Sequence, residues 1–168
     1  VGTKTSPTDS GNRERMKNTL QKSSSIYAQI VTHLETVFPK EGAGLLLGRF
    51  NGHQRLVSKI MTFPNRFSPD EQHNRYLLTA ADMLIGEDVA EKNSIEVIGV
   101  FHSHPDHPSR PSEYDREHAL PWYSYLIVSV HAKGAGDARS WILSDDRTQF
   151  IEQIIRIEED PETAGITN

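Results

Sequence analysis

The chain has 168 residues, a formal net charge of −5, 24% charged and 36% hydrophobic residues, and no cysteine. That length suits one domain able to bury roughly two-thirds of its unfolded surface, while the acidic balance with scattered Lys and Arg argues against a nucleic-acid partner. The absence of cysteine excludes disulfides, thiolate metal sites and a cysteine nucleophile.

Taken in chain order, residues 1–19 are polar and offer almost nothing to a core, which predicts a disordered N-terminal segment or an upstream remnant, with Met16 an alternative start. No apolar core of a secretory signal is visible there, and no apolar stretch approaches the roughly eighteen residues of a membrane span. The expectation is a cytoplasmic protein without a membrane partner. Ser23, Ser24 and Ser25 supply an N-cap for a helix in which Ile26, Tyr27, Ile30, Val31, Leu34, Val37 and Phe38 share one face. Pro39 ends it. Residues 45–48 read as a short buried strand, Asn51-Gly52 as a turn, and 54–63 as the returning strand of a hairpin. A polar loop with two prolines follows over 64–76.

Thr79-Ala-Ala-Asp82 is a capping-box pattern that opens a helix to about Asn93. The β-branched run 95–101 predicts a buried strand, and a short helix is expected near 113–119. Residues 123–130 and 140–143 read as further strands. Asp145-Asp146 is read as the cap of a closing helix with Phe150, Ile151, Ile154 and Ile155 turned inward. The acidic stretch 158–168 predicts a frayed or solvated tail. Strands interleaved with helices imply an α/β fold, one mixed sheet flanked by helices, folded over residues 20–157.

The chemistry concentrates in His102-Ser-His-Pro-Asp-His-Pro-Ser-Arg-Pro-Ser-Glu-Tyr-Asp115. Imidazole and carboxylate donors suit a borderline divalent metal, and a catalytic zinc takes three protein ligands with one position left open. His102 and His104 flank a single residue, so on an extended chain they project to the same side and can grip one ion. His107 and Asp115 are further candidates. Ser112-x-x-Asp115 is also a capping-box signature, compatible with a helix start that presents Asp115 to a metal. Pro105, Pro108 and Pro111 stiffen the loop.

The spacing His102-x-His104, seven residues, Ser112, two residues, Asp115 resembles the defining motif of the JAMM (MPN-plus) metalloprotease family. The similarity extends to Phe38-Pro-Lys-Glu41-Gly-Ala-Gly-Leu-Leu-Leu-Gly48, to Asn65 and to Tyr125-Leu-Ile-Val-Ser-Val130, and covers about residues 25–155. It is nearest to the short prokaryotic members. The resemblance implies the MPN/JAB, cytidine-deaminase-like fold and one Zn2+ per chain held by His102, His104 and Asp115. Glu41 takes the role of general acid/base, Ser112 that of an oxyanion or water partner, and His107 is left as an exposed loop residue. Glu35 and Glu71 are poorer candidates for the base. The implied activity is hydrolysis of a peptide or isopeptide bond at the Gly-Gly tail of a ubiquitin-like, sulfur-carrier type protein. A tail of that kind is expected to add as a strand along an exposed edge. The oligomeric state stays open.

Two alternatives remain at this stage. His102-Ser-His104-Pro-Asp106-His107 also fits the His-x-His-x-Asp-His signature of metallo-β-lactamase-fold hydrolases, although only His118 and His131 follow as further ligands. A non-catalytic MPN scaffold is the other, against which every ligand and the glutamate are present.

Overall fold

The computed structural model describes residues 19–52 and 54–160. Seven strands and three α-helices follow one another as β1 (Thr19–Ser23), α1 (Ser24–Val37), β2 (Ala43–Phe50), β3 (Gln54–Phe63), α2 (Ala80–Lys92), β4 (Glu96–Pro105), α3 (Glu113–His118), β5 (Ser124–His131), β6 (Gly134–Leu143) and β7 (Phe150–Glu158), with a 3-10 turn at Pro69–Glu71. The expectations for residues 1–18 and for 161–168 lie outside the described residues. Of the acidic tail, Glu158 ends β7, and the Asp160 carboxylate accepts from the Ser25 N–H at 3.2 Å in the first turn of α1.

Helix α1 begins where expected. The Ser23 side chain accepts from the Ile26 N–H, and the stripe Ile26, Ile30 and Leu34 is buried. Burial of each such side chain stabilises by about 1.5–3 kcal/mol. The stripe packs with Leu20, Leu46, Val57, Ile98, Phe101, Leu126, Val128 and Val130 into one core. Helix α1 contacts β1, β3, β4, β5, β6 and β7, so the sheet is wrapped around it. A second core covers the opposite face of β2, β4 and β5, where Leu45, Leu47, Val100, Tyr123 and Tyr125 meet Ala90 of α2 and Ala119. Gly86 permits this approach, since a Cβ there would collide with the Leu45 side chain.

The expected flanked sheet is instead a closed barrel in the order β1-β3-β2-β4-β5-β6-β7. Closure depends on β1, which pairs parallel with β3 and with β7. Five residues before a helix cap carry too short a pattern to announce a strand, so sequence reasoning missed it. The closing helix predicted after the Asp145-Asp146 cap is also corrected, because Phe150–Glu158 is a strand paired with β6 and β1. Its apolar spacing fits a helix stripe, but Ile151, Ile154, Ile155 and Ile157 are β-branched and stiff at χ1, and two neighbouring ladders supply hydrogen bonds that a lone helix would forgo. Asp146 caps a turn, accepting from Ser144 Oγ (2.7 Å), Thr148 Oγ1 (2.7 Å) and Thr148 N (3.1 Å).

Strand β4 positions the chemistry. The β2–β4 register shifts between Leu46 and Leu47, which pair with Gly99 and Val97, so Ile98 is bulged. Beyond the bulge, Phe101 and Ser103 alternate with Val100, His102 and His104. Phe101 enters the core around α1, whereas Val100 lies in the outer core. The two histidines therefore share the face covered by α2 and α3.

Lys22 lies two residues beyond Leu20 on the same face of β1 and is 2% exposed. Its ammonium stands over the Tyr27 ring at 4.7 Å and has no hydrogen-bond partner among the described residues. Burial lowers its pKa from 10.5 to about 8. Below that value Lys22 is charged in both states and the burial penalty is present in full. Between about 8 and 10.5 the unfolded chain binds the extra proton, so stability rises with pH. Lys22→Met is expected to stabilise the fold at neutral pH by about 3 kcal/mol and to flatten that rise. Urea unfolding at neutral and alkaline pH checks it, and equal stability of the two proteins at neutral pH refutes it.

Candidate metal centre

His102 and His104 leave β4 on one side, and their Nε2 atoms lie 3.2 Å apart. Asp115 arrives from the first turn of α3. Ser112 caps this helix by a full capping box: its Oγ accepts from the Asp115 N–H at 3.1 Å, and the Asp115 carboxylate accepts from the Ser112 N–H at 2.7 Å. Ser112 Oγ also donates to the same carboxylate at 2.9 Å. The capping-box reading of Ser-x-x-Asp thus holds, and it is compatible with Asp115 facing the two histidines. The cap fixes Asp115 with Oδ1 at 3.5 Å from His102 Nε2 and Oδ2 at 3.3 Å from His104 Nε2. All three side chains are buried.

This donor set fits a small divalent cation. Nitrogen and oxygen ligands at about 2.0–2.1 Å from a tetrahedral zinc lie about 3.4 Å from one another; here the two Nε2 atoms are 3.2 Å apart, and each has one of the two Asp115 oxygens at 3.5 or 3.3 Å. The proton on His104 supports the same conclusion. Its Nδ1 is 2.8 Å from the Pro108 carbonyl, which can only accept, so Nδ1 carries the hydrogen and, in the neutral ring, Nε2 is the bare nitrogen. His102 is held by stacking on Tyr76 at 4.5 Å, and its buried Nδ1 has no hydrogen-bond partner among the described residues.

Glu41 reaches the site through the β2–β4 ladder. Ala43 pairs with His102, and the ladder continues as Gly42 N to Ser103 Oγ (2.9 Å) and Ser103 N to Gly42 O (3.0 Å). One residue further, Glu41 lines the same cleft as His104 and feels its charge. Its backbone is tied to the 64–79 segment: its N–H donates to Gln72 O at 2.6 Å, and its carbonyl accepts from Asn65 Nδ2 at 3.0 Å. Asn65 also donates to Arg75 O and accepts from Phe67 N and Leu77 N, so it ties this loop to Glu41.

The two carboxylates are driven apart electrostatically. Burial pushes Glu41 up to about 8, with His104 pulling it down and Asp115 pushing it further up. Burial would raise Asp115 too, but His102, His104 and the Ser112 N–H outweigh it and hold Asp115 well below the usual carboxylate range. Burial lowers His102. It acts the same way on His104, where the hydrogen bond to Asp115 and the Pro108 carbonyl reverse the sign and raise it overall.

A cleft of about 470 Å3 opens beside these groups, lined by Glu41, His104, His107, Arg110, Ser112 and Tyr114. His107 is exposed at its rim and does not join the triangle. Asp106 turns away and pairs with His131, Nδ1 to Oδ1, at 3.0 Å. His118 bonds the Tyr114 carbonyl at 2.9 Å and stacks on its ring. The residues of the competing His-x-His-x-Asp-His reading therefore do not converge. Sequence reasoning missed Tyr76 and the Pro108 carbonyl. A stacking partner delivered by a folded-back loop and a backbone acceptor leave no signature in residue type.

Comparison with known proteins agrees with this geometry. A profile described as prokaryotic homologs of the JAB domain matches residues 23–144. A protein named desampylase from Pyrococcus furiosus is 35% identical over 107 residues, covering 62% of this chain and 68% of the relative. A probable TtuB-protein conjugate cleaving protease from Thermus thermophilus is 29% identical over 113 residues, covering 67% and 68%. A solution structure from Salinibacter ruber superposes with a TM-score of 0.65 at 36% identity, over 84% of this chain and 93% of that one. Another, from Desulfitobacterium hafniense, does so with 0.73 at 26% identity, over 89% and 99%. The metallo-β-lactamase alternative is thereby set aside: the chain belongs to the family of prokaryotic JAB-domain proteins.

Proposed function

We propose that this protein is a zinc-dependent peptidase or isopeptidase that cleaves at the C-terminal tail of a ubiquitin-like, sulfur-carrier type protein. The observation that carries the reading is the buried group of two Nε2 atoms and a carboxylate with Glu41 in the cleft beside His104. The printed names of the Pyrococcus and Thermus relatives, a desampylase and a conjugate-cleaving protease, support the substrate class. Retention of the whole donor set argues against a purely scaffolding role.

His102, His104 and Asp115 would hold one zinc ion. When bound, such an ion supplies a Lewis acid for the scissile carbonyl and brings the pKa of a water down to about 7. Glu41, in its ionised form, then takes a proton from the attacking water and returns it to the departing amine, a role suited to a carboxylate that burial makes a stronger base than usual. The Ser112 hydroxyl, now on the Asp115 carboxylate, swings to the oxygen on which charge develops. A substrate tail lies in the cleft between the 64–79 loop and the loop before α3.

Glu41→Gln is expected to keep one equivalent of zinc and to lose at least about a hundredfold in kcat on a Gly-Gly-linked ubiquitin-like fusion, whereas His104→Ala loses the metal itself. Unchanged turnover of Glu41→Gln would remove the proposed base. Zinc affinity is expected to weaken as pH falls, because metal and proton compete for His104 Nε2. Since His104 is raised above 6.5, the decline starts above that pH, at about tenfold per unit for one proton. His102, shifted the opposite way, joins only at lower pH. Competition titrations across the range read the slope, and a flat profile through neutral pH excludes His104 as a ligand.

A further inference from the structure

The loop between β4 and α3 is held by polar groups that the proposed reaction leaves unused. Asp106 sits at φ 55°, a left-handed conformation in which Asp and Asn are enriched, and its N–H donates to Val130 O at 2.9 Å. Its carboxylate faces His131 Nδ1 at 3.0 Å, and the other ring nitrogen of His131 lies 3.0 Å from Ser129 Oγ. Ser129, buried on β5, donates from Oγ to the His107 carbonyl at 2.6 Å. On the far side, Ser109 Oγ donates to Asp137 at 2.5 Å and Trp141 Nε1 donates to the Ser109 carbonyl at 3.0 Å, both from β6. Residues 107 and 109 are thus each anchored to the sheet, and between them stands Pro108, whose carbonyl accepts the His104 Nδ1 proton.

We propose that Asp106, His131 and Ser129 are positioning residues for His104: by clamping the loop they fix the Pro108 carbonyl against Nδ1 and hold the imidazole in the tautomer whose Nε2 is bare. A neutral imidazole can carry its proton on either nitrogen, and only the Nδ1–H form offers a lone pair to the triangle. The Asp106–His131 pair is half-exposed, with side chains 65% and 51% accessible, and pairs of that kind add little to global stability. Its consequence is geometric. Asp106, from the competing metal signature, and His131, its downstream candidate, act through the ligand's partner and not on the metal.

The inference rests on His104 being a metal ligand, and its test separates the two claims. Ring-nitrogen NMR of the metal-free protein in alkaline buffer reports the His104 tautomer, and chelator competition reports the zinc Kd. Both are measured for wild type, His131→Ala, Asp106→Ala and Asp106→Asn, with thermal unfolding alongside. Wild type is expected to show a single Nδ1–H tautomer. His131→Ala and Asp106→Ala are expected to mix the tautomers and weaken zinc binding by roughly 10- to 100-fold at nearly unchanged Tm. Asp106→Asn keeps the acceptor and the left-handed backbone and restores both readings. A single Nδ1–H tautomer with zinc affinity within about twofold of wild type in both alanine variants overturns the proposal. So does a loss of affinity that follows a fall in Tm and is not rescued by Asp106→Asn. If wild type binds no zinc, the ligand reading fails, while the tautomer measurement still decides the clamp.

Discussion

The antiparallel ladder between β2 and β4 is the constraint on which the remainder of the site depends. Its bulge at Ile98 re-phases the strand, so that Phe101 and Ser103 face the core around α1 while His102 and His104 emerge on the outer face. Without that extra residue every side chain beyond it would change faces. Just beyond the end of this ladder at Ala43, Glu41 lines the same cleft as His104, sixty-three positions away in the sequence. The two residues arrive together because two backbones are hydrogen-bonded, before any side chain interacts.

Burial then gives the carboxylates different characters. Asp115 is ringed by groups that favour its ionised form: two imidazoles, and a hydroxyl and a backbone N–H that donate to it at a helix start. Glu41 is as deeply buried but has far less compensation, so its protonated form is favoured. Two carboxylates in one cleft, one kept as an anion and the other poised to exchange a proton, form the pattern by which environment assigns acid-base roles. Support reaches outward through the Gln72 carbonyl and the Asn65 side-chain amide on the Glu41 backbone, and through the Pro108 carbonyl on His104.

Much of the site was legible in residue type and spacing. His102 and His104 at i and i+2, and Ser112 with Asp115 as a capping box, are local patterns whose geometry follows from strand and helix periodicity. The helix at Ser23 and the one at Thr79 were readable from their caps for the same reason. Glu41 was different. Nothing near it in the chain marks a base, and only family resemblance singled it out. The last element was misread because an isoleucine-rich run spaced at three and four residues satisfies a helix stripe, and strand preference there comes from partners on either side.

By itself the sequence determined the donor set, the order of most elements, the absence of thiol chemistry and the two helix caps, because each is encoded within a few neighbouring residues. Only the tertiary structure decided that the sheet closes, that β1 and β7 meet, that Tyr76 stacks on His102, and that Asp106 turns to His131 and away from the metal triangle. These are long-range pairings and backbone carbonyl contacts. They depend on which strands become neighbours, and no local pattern of side chains records that.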